Sequence, residues 1–152
     1  MASAFIIFDN SQKRLTLPIM FSQLRDLVGL DCAMSEWRFD ESVVPQIRVV
    51  TVPPIALQLD EHPDIVPEEI QEMLDSGGDF FSADSLAAAR RCRSRIEIVS
   101  CEPTQTERLR EGGIVSHTPN ANMDSPDVRS AIRRVADFLH GWIYDNINGR
   151  WI

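Results

Sequence analysis

Several things are scarce or missing in this chain of 152 residues, and each absence excludes something. No apolar run approaches the ~20 residues that span a bilayer, so no membrane partner is expected. The opening MASAFIIFDN carries no basic leader, and its apolar stretch is too short for a secretory signal. A cytoplasmic protein is the expectation. Cysteine is limited to Cys32, Cys92 and Cys101, an odd number, widely spaced, with no CxxC pair. A structural zinc site wants four ligands, usually in two close pairs, so no metal is expected. The thiols read as small buried hydrophobes, and pairing of Cys92 with Cys101 is left open. Nucleophile and cofactor motifs are absent: no GxSxG, no Gly-rich phosphate loop with its Lys, no HExxH, no GxGxxG. No catalytic residue and no cofactor is therefore assigned. GGD at 77–79 and GGI at 112–114 read as helix stops and turns.

Positive charge is missing from one long stretch. Between Val49 and Ala89 there are nine acids (Asp60, Glu61, Asp64, Glu68, Glu69, Glu72, Asp75, Asp79, Asp84) and neither Lys nor Arg. The whole chain has a net charge of −8, so the remainder is close to neutral. RRCRSR at 90–95 then packs four arginines into six positions. One account is a solvated acidic helix face followed by a solvated basic helix end. The other is a negative patch that attracts a basic partner and raises its association rate. Nucleic acid is not an expected partner, because binding it needs clustered bases to neutralise phosphates.

The local patterns predict one domain over residues 1–152, with four helices and several strands. FIIF at 5–8 is a short apolar strand closed by Asp9-Asn10-Ser11. Residues 18–28 open on Pro18, place Met20, Leu24, Leu27 and Val28 on one face and stop at Gly29. EWRF at 36–39 and IRVVTV at 47–52 read as strands. Pro53-Pro54 cannot donate to a ladder, which makes IALQL at 55–59 an edge or a bent continuation. Pro67 starts an acidic helix with Ile70, Met73 and Leu74 as its apolar stripe. Ser82 caps the next helix, with Phe81 and Leu86 at staple spacing. Leu86, Ala89 and Cys92 face inward there, leaving Arg90, Arg91 and Arg93 toward solvent. RIEIVSC at 95–101 is a strand. Ser125 and Pro126 start the longest helix, in which Val128, Ile132, Val135 and Leu139 recur at helical spacing up to Gly141. WIYDNI then returns as a strand, and Asn148-Gly149 signals a hairpin that brings Trp151 back beside it. Trp142 and Trp151 read as cross-strand packing residues. The order does not alternate strictly between strand and helix, which excludes a doubly wound fold. The predicted class is α+β, a single mixed or mainly antiparallel sheet with helices packed largely on one face. Strands 47–52 and 95–101 should lie inside it, since both their faces are apolar.

Two segments carry the candidate chemistry. DEHPD at 60–64 gathers three carboxylates and an imidazole, without an EF-hand's fixed spacing or its closing Glu. His117, on a polar stretch at 116–126, is a candidate general base if a carboxylate orients it. His140, in the last turn of the final helix, has a sufficient structural role at the negative end of the dipole. LAAARRCRSRIEIVSCE at 86–102, an Ala-rich helix feeding a strand, resembles small bacterial α/β domains of unknown function. So does the final helix passing through Gly141 to a strand with Asp145, Gly149 and Trp151. Some of those domains are immunity proteins encoded beside polymorphic toxins. The resemblance implies a cytosolic bacterial protein that neutralises a partner by binding, and it carries over no functional residue.

The functional expectation is a non-catalytic interaction protein that meets a basic protein partner through Asp60, Glu61, Asp64, Glu68, Glu72 and Asp75. Glu68, Glu72 and Asp75 fall on one helix face, opposite Ile70, Met73 and Leu74. Like charges so placed repel by a few tenths of a kcal/mol per pair, so folding does not require them. Homodimer formation is left open. The alternative is a small enzyme or ligand-binding domain with a pocket near Asp60–Asp64 and His117.

Overall fold

Strand β1 (Ala4–Phe8) has side chains buried on both faces, and it occupies an interior place in a seven-stranded sheet. The computed structural model describes residues 2–39, 41–101, 105–108, 114–117 and 121–152. Through those residues the chain runs β1, α1 (Leu17–Gln23), β2 (Cys32–Phe39), β3 (Ser42–Val49), β4 (Ile55–Asp60) and α2 (Val66–Asp75). It continues through α3 (Ala83–Ala89), β5 (Ser94–Ser100), β6 (Gln105–Arg108), β7 (Ile114–His117), α4 (Pro126–Leu139), β8 (Trp142–Asp145) and β9 (Arg150–Trp151). The sheet order is β2-β3-β4-β5-β1-β8-β9, antiparallel at every junction, so the fold is α+β. β6 and β7 pair separately as a two-stranded ladder with Gln105 opposite His117.

Alternation along the strands divides the core in two. Ile6, Phe8, Ile47, Val49, Ile55, Leu57, Ile96, Ile98 and Ile143 share one face with Met20 and Leu24 of the first helix and Val128, Ile132, Val135 and Leu139 of α4. This is the larger cluster, and the amphipathic stripe of α4 is what seals it. Ile7 points the other way, into a smaller cluster with Val66, Ile70 and Leu74 of α2, Ala89, Cys92 and Trp151.

Both expected interior strands are flanked on either side, β3 by β2 and β4, and β5 by β4 and β1. β3 ends at Val49, however, and Val50 and Val52 are exposed. Pro53-Pro54 makes a reversal here, so β4 pairs back antiparallel on β3 and is neither an edge nor a continuation. The start of α4 pins that turn: Asp127 accepts from the Val52 amide at 2.7 Å, and Ser125 donates to the Val52 carbonyl at 2.8 Å. The first helix also differs from its expectation. After Gln23 it widens into a π-turn, Leu24–Val28, and the added residue shifts the helical phase. Leu27 consequently faces solvent while Leu24 stays buried. Gly29, with φ of 72°, ends it as expected.

The final hairpin follows the pattern of the sequence. Ser125 caps α4, accepting from the Val128 amide, and β8 enters the sheet directly after it. His140 takes the left-handed cap position at φ 53°. Gly141 is required for another reason: a Cβ there would lie 2.5 Å from the Ile7 carbonyl oxygen. Trp151 crosses to Tyr144, with ring centroids 5.1 Å apart, and donates its indole N–H to the Met73 carbonyl at 3.3 Å. Trp151 is buried and Trp142 half-buried, both on the face of the smaller cluster. All three cysteines are free. Cys92 is buried, whereas Cys32 and Cys101 are only partly covered.

Candidate functional site

The acidic segment lies along one side of the smaller cluster, and its carboxylates fall into two groups. The first group is engaged internally. Arg95, expected at a solvated helix end, is buried because the alternation of β5 turns it to the face opposite Ile96. Its guanidinium bonds Asp60 at 3.0 Å, Glu97 at 3.3 Å and Glu69, and lies 4.7 Å from the centroid of the Phe5 ring. Three carboxylates therefore surround one cation. Burial pushes the Glu97 carboxyl above its ordinary range, Arg95 opposes that push, and Asp60 and Glu69 add to it. Glu61 is also engaged, accepting from Asn10 Nδ2 at 3.1 Å and from the Ser94 hydroxyl. Asp75 pairs with Arg90 at 3.2 Å across α2 and α3.

The second group is exposed and has no ion pair among the described residues. It contains Asp64, Glu68 and Glu72. Glu68 and Glu72 lie one helical turn apart on the solvent side of α2, where Ile70 and Leu74 are buried and Met73 is half-buried. Exposed Ile65, the residue before the helix, precedes Glu68 by three positions, and exposed Phe80 follows the helix, stacked 6.4 Å from Trp151. Of the six residues expected to meet a partner, Asp64, Glu68 and Glu72 are thus free, while Asp60, Glu61 and Asp75 hold the fold's own groups.

The DEHPD loop lines a cleft of about 720 Å³. Three chain segments leave the same end of the sheet there, because β5 lies between β4 and β1. β1 supplies Asp9, Asn10 and Ser11 as it exits; the loop after β4 supplies Glu61 and Pro63; and the lead into β5 supplies Arg91, Arg93 and Ser94. Asn10 is the hub of the floor. Its side chain accepts from the Leu15 amide at 2.8 Å and donates to the Leu15 carbonyl at 2.9 Å, besides its bond to Glu61. Asp9 accepts from the Ser11 amide at 3.0 Å. Ser11's hydroxyl and amide hold the Asp9 carboxyl below its ordinary range, with Arg91 and Arg93 adding to the effect.

The structure thus brings Glu61 together with two arginines that sequence reasoning had left on a solvated helix end. His62 is exposed, and its Nδ1 accepts from the Asp64 amide at 3.3 Å, a local turn contact. His117 is a strand residue of β7, not a loop residue, and its side chain lies outside the described residues, as does the pair Gly112-Gly113. Among the described residues no group of three His, Cys, Asp or Glu side chains is arranged to hold a metal, and no helix is long and apolar enough to cross a membrane. Burial pushes the Cys92 thiol up to about 12, which disfavours the thiolate at neutral pH.

Compared with known proteins, the chain matches no family model, no curated protein and no solved structure. Function therefore rests on the chemistry of these surfaces.

Proposed function

We propose that this is a non-catalytic cytoplasmic protein that binds a basic protein partner through the solvent face of α2 and the loop before it, in the manner of an immunity or inhibitor protein. One observation carries the reading: Glu68 and Glu72 stand exposed, a turn apart and without a cation among the described residues, on a helix whose other acids Glu69 and Asp75 are paired. Two unpaired like charges at that spacing disfavour the helix slightly. Their benefit lies outside the fold, where they steer a positively charged surface toward the helix. Ile65 supplies an apolar contact in the same row, the kind of side chain that a partner desolvates at the centre of an interface. Asp64 lies beside it, whereas Asp60, Glu61 and Asp75 each have an oxygen already bonded within the fold and contribute chiefly to the field.

The test is a pull-down to obtain the partner, then association kinetics with Glu68→Lys/Glu72→Lys. The association rate should fall by about tenfold or more at low salt and lose most of its salt dependence. An unchanged rate would reduce the acidic face to solvated surface. The partner's own surface should be basic at the contact, and an acidic one would equally sink the reading.

A further inference from the structure

The cleft at the end of β1, β4 and β5 borders the loop before α2 but does not include Glu68 or Glu72. Its charged lining is balanced in total and divided in sign: Asp9 and Glu61 on the flanking segments, Arg91 and Arg93 on the segment between them. Neither arginine forms an ion pair among the described residues, although both lie near enough to influence Asp9. Arg91 uses one nitrogen on the Ala87 carbonyl, and Arg93 uses one on the carbonyls of Arg90 and Cys92. Those contacts hold one nitrogen of each guanidinium, and the remaining donors make no bond among the described residues. Glu61 spends one oxygen, Oε2, on Asn10 and Ser94, and its other oxygen takes no bond from the described residues. The floor beneath is rigid, since Asn10 and Ser94 are buried and bonded to Glu61.

A dianion such as phosphate would meet two guanidinium groups there, and also two carboxylates that repel it. A simple cation meets the reverse. A ligand carrying one charge of each sign offsets both, and charge-assisted bonds at each end fix its orientation. The remaining wall is apolar and uncharged, formed by Pro63 and Pro67. We infer that the cleft binds a small zwitterion, an α-amino acid with an uncharged side chain, its carboxylate on Arg91 and Arg93, its ammonium on Asp9 and Glu61, and its side chain toward Pro63 and Pro67.

Titration of the full chain with L-alanine, followed by amide 1H–15N spectra, tests this, with inorganic phosphate and ethylamine as probes carrying one sign of charge. L-alanine should give saturable shifts at Asp9–Ser11, Glu61 and Arg91–Ser94. Each single-sign probe should bind there about tenfold or more weakly. Asp9→Asn and Arg93→Gln alter exposed side chains, so both should fold, and each should weaken L-alanine by about tenfold. The inference is overturned if L-alanine gives no saturable shift, if phosphate binds as tightly as L-alanine, or if either variant keeps the parent affinity. None of these outcomes touches the partner reading, whose test lies on Glu68 and Glu72.

Discussion

The two faces of the large sheet are built on different chemistry. On the face covered by the first helix and α4, β1, β3, β4, β5 and β8 contribute aliphatic side chains and the interior is almost wholly apolar. On the face covered by α2 and α3, one stretch is aromatic, with Phe81, Tyr144 and Trp151 packed edge to face, and the adjoining stretch is ionic, centred on Arg95. The first face is held by area removed from water, which is non-directional and tolerant of volume-conserving exchange. The second depends on particular partners at particular distances. The candidate binding features, the cleft beside Arg91 and Arg93 and the free carboxylates of α2, lie with the second.

That contrast can be broken most severely at Trp151. Trp151→Ala should cost about 3–5 kcal/mol in denaturant unfolding, and truncation after Gly141 at least as much, because the indole anchors β9 to α2 as well as to Tyr144. A truncated chain with an unchanged melting temperature would show that the hairpin is an appendage of this face and no part of it.

Arg95→Leu is the next largest. Losing one partner of a buried ionic group costs about 3–5 kcal/mol when the charges left behind cannot reach water. Here Asp60, Glu69 and Glu97 keep 30%, 44% and 27% of their side-chain exposure, so about 2–3 kcal/mol is expected. Part of that loss should return on acidification, as Glu97, whose carboxyl burial already pushes up, takes up its proton. A loss with no pH dependence would mean that Arg95 acts through packing on Phe5 alone.

Glu97→Gln sharpens the comparison with a smaller effect of opposite sign. In the folded state Glu97 binds its proton more tightly than in the unfolded chain, where 4.5 is the ordinary value. Its ionisation therefore destabilises the fold progressively as pH rises through the raised value, and the penalty is absent below 4.5. Glu97→Gln should stabilise the protein at neutral pH by a few tenths of a kcal/mol, with the gain vanishing in acid. A variant less stable at neutral pH would show that the bond to Arg95 outweighs the burial.

The same two faces differ in how far they could be read from the chain. The apolar face was legible in part: β-branched runs gave β5 and the last three residues of β3, whose start at Ser42 was missed, and Ser125-Pro126 with the spacing of Val128, Ile132, Val135 and Leu139 gave α4 almost to the residue. Leu27 failed because a π-turn slips the helical phase, and single-residue insertions of that kind leave no mark in periodicity. The start of β2 was missed because Cys32–Ser35 lacks the alternation that marks EWRF. On the other face, Trp151 and the hairpin were legible from Asn148-Gly149, although the connection uses four residues. Arg95 was misread as part of a charge run. The signal was present: in RIEIVS, Arg95 and Glu97 alternate with Ile96 and Ile98, so they share a face that another element covers. The cleft was legible only at Glu61 and Pro63, in the loop where a pocket was the alternative expectation; Asp9 and Arg93 are far from that loop in sequence, and only the order β4-β5-β1 brings them to it.

That strand order also has a consequence in time. β1 is made well before both of its neighbours, which are residues 94–98 on one side and 142–145 on the other. At ribosomal rates the first of these appears on the order of ten seconds later, and the second later still. Throughout that interval AFIIF has no sheet to join, and it is the segment whose Ala4, Ile6, Ile7 and Phe8 end up almost completely covered. A nascent chain of this topology presents a sticky unpaired segment until β5 and β8 have followed it. Its yield in a cell should therefore depend on holdase supply well before it depends on the stability of the finished sheet.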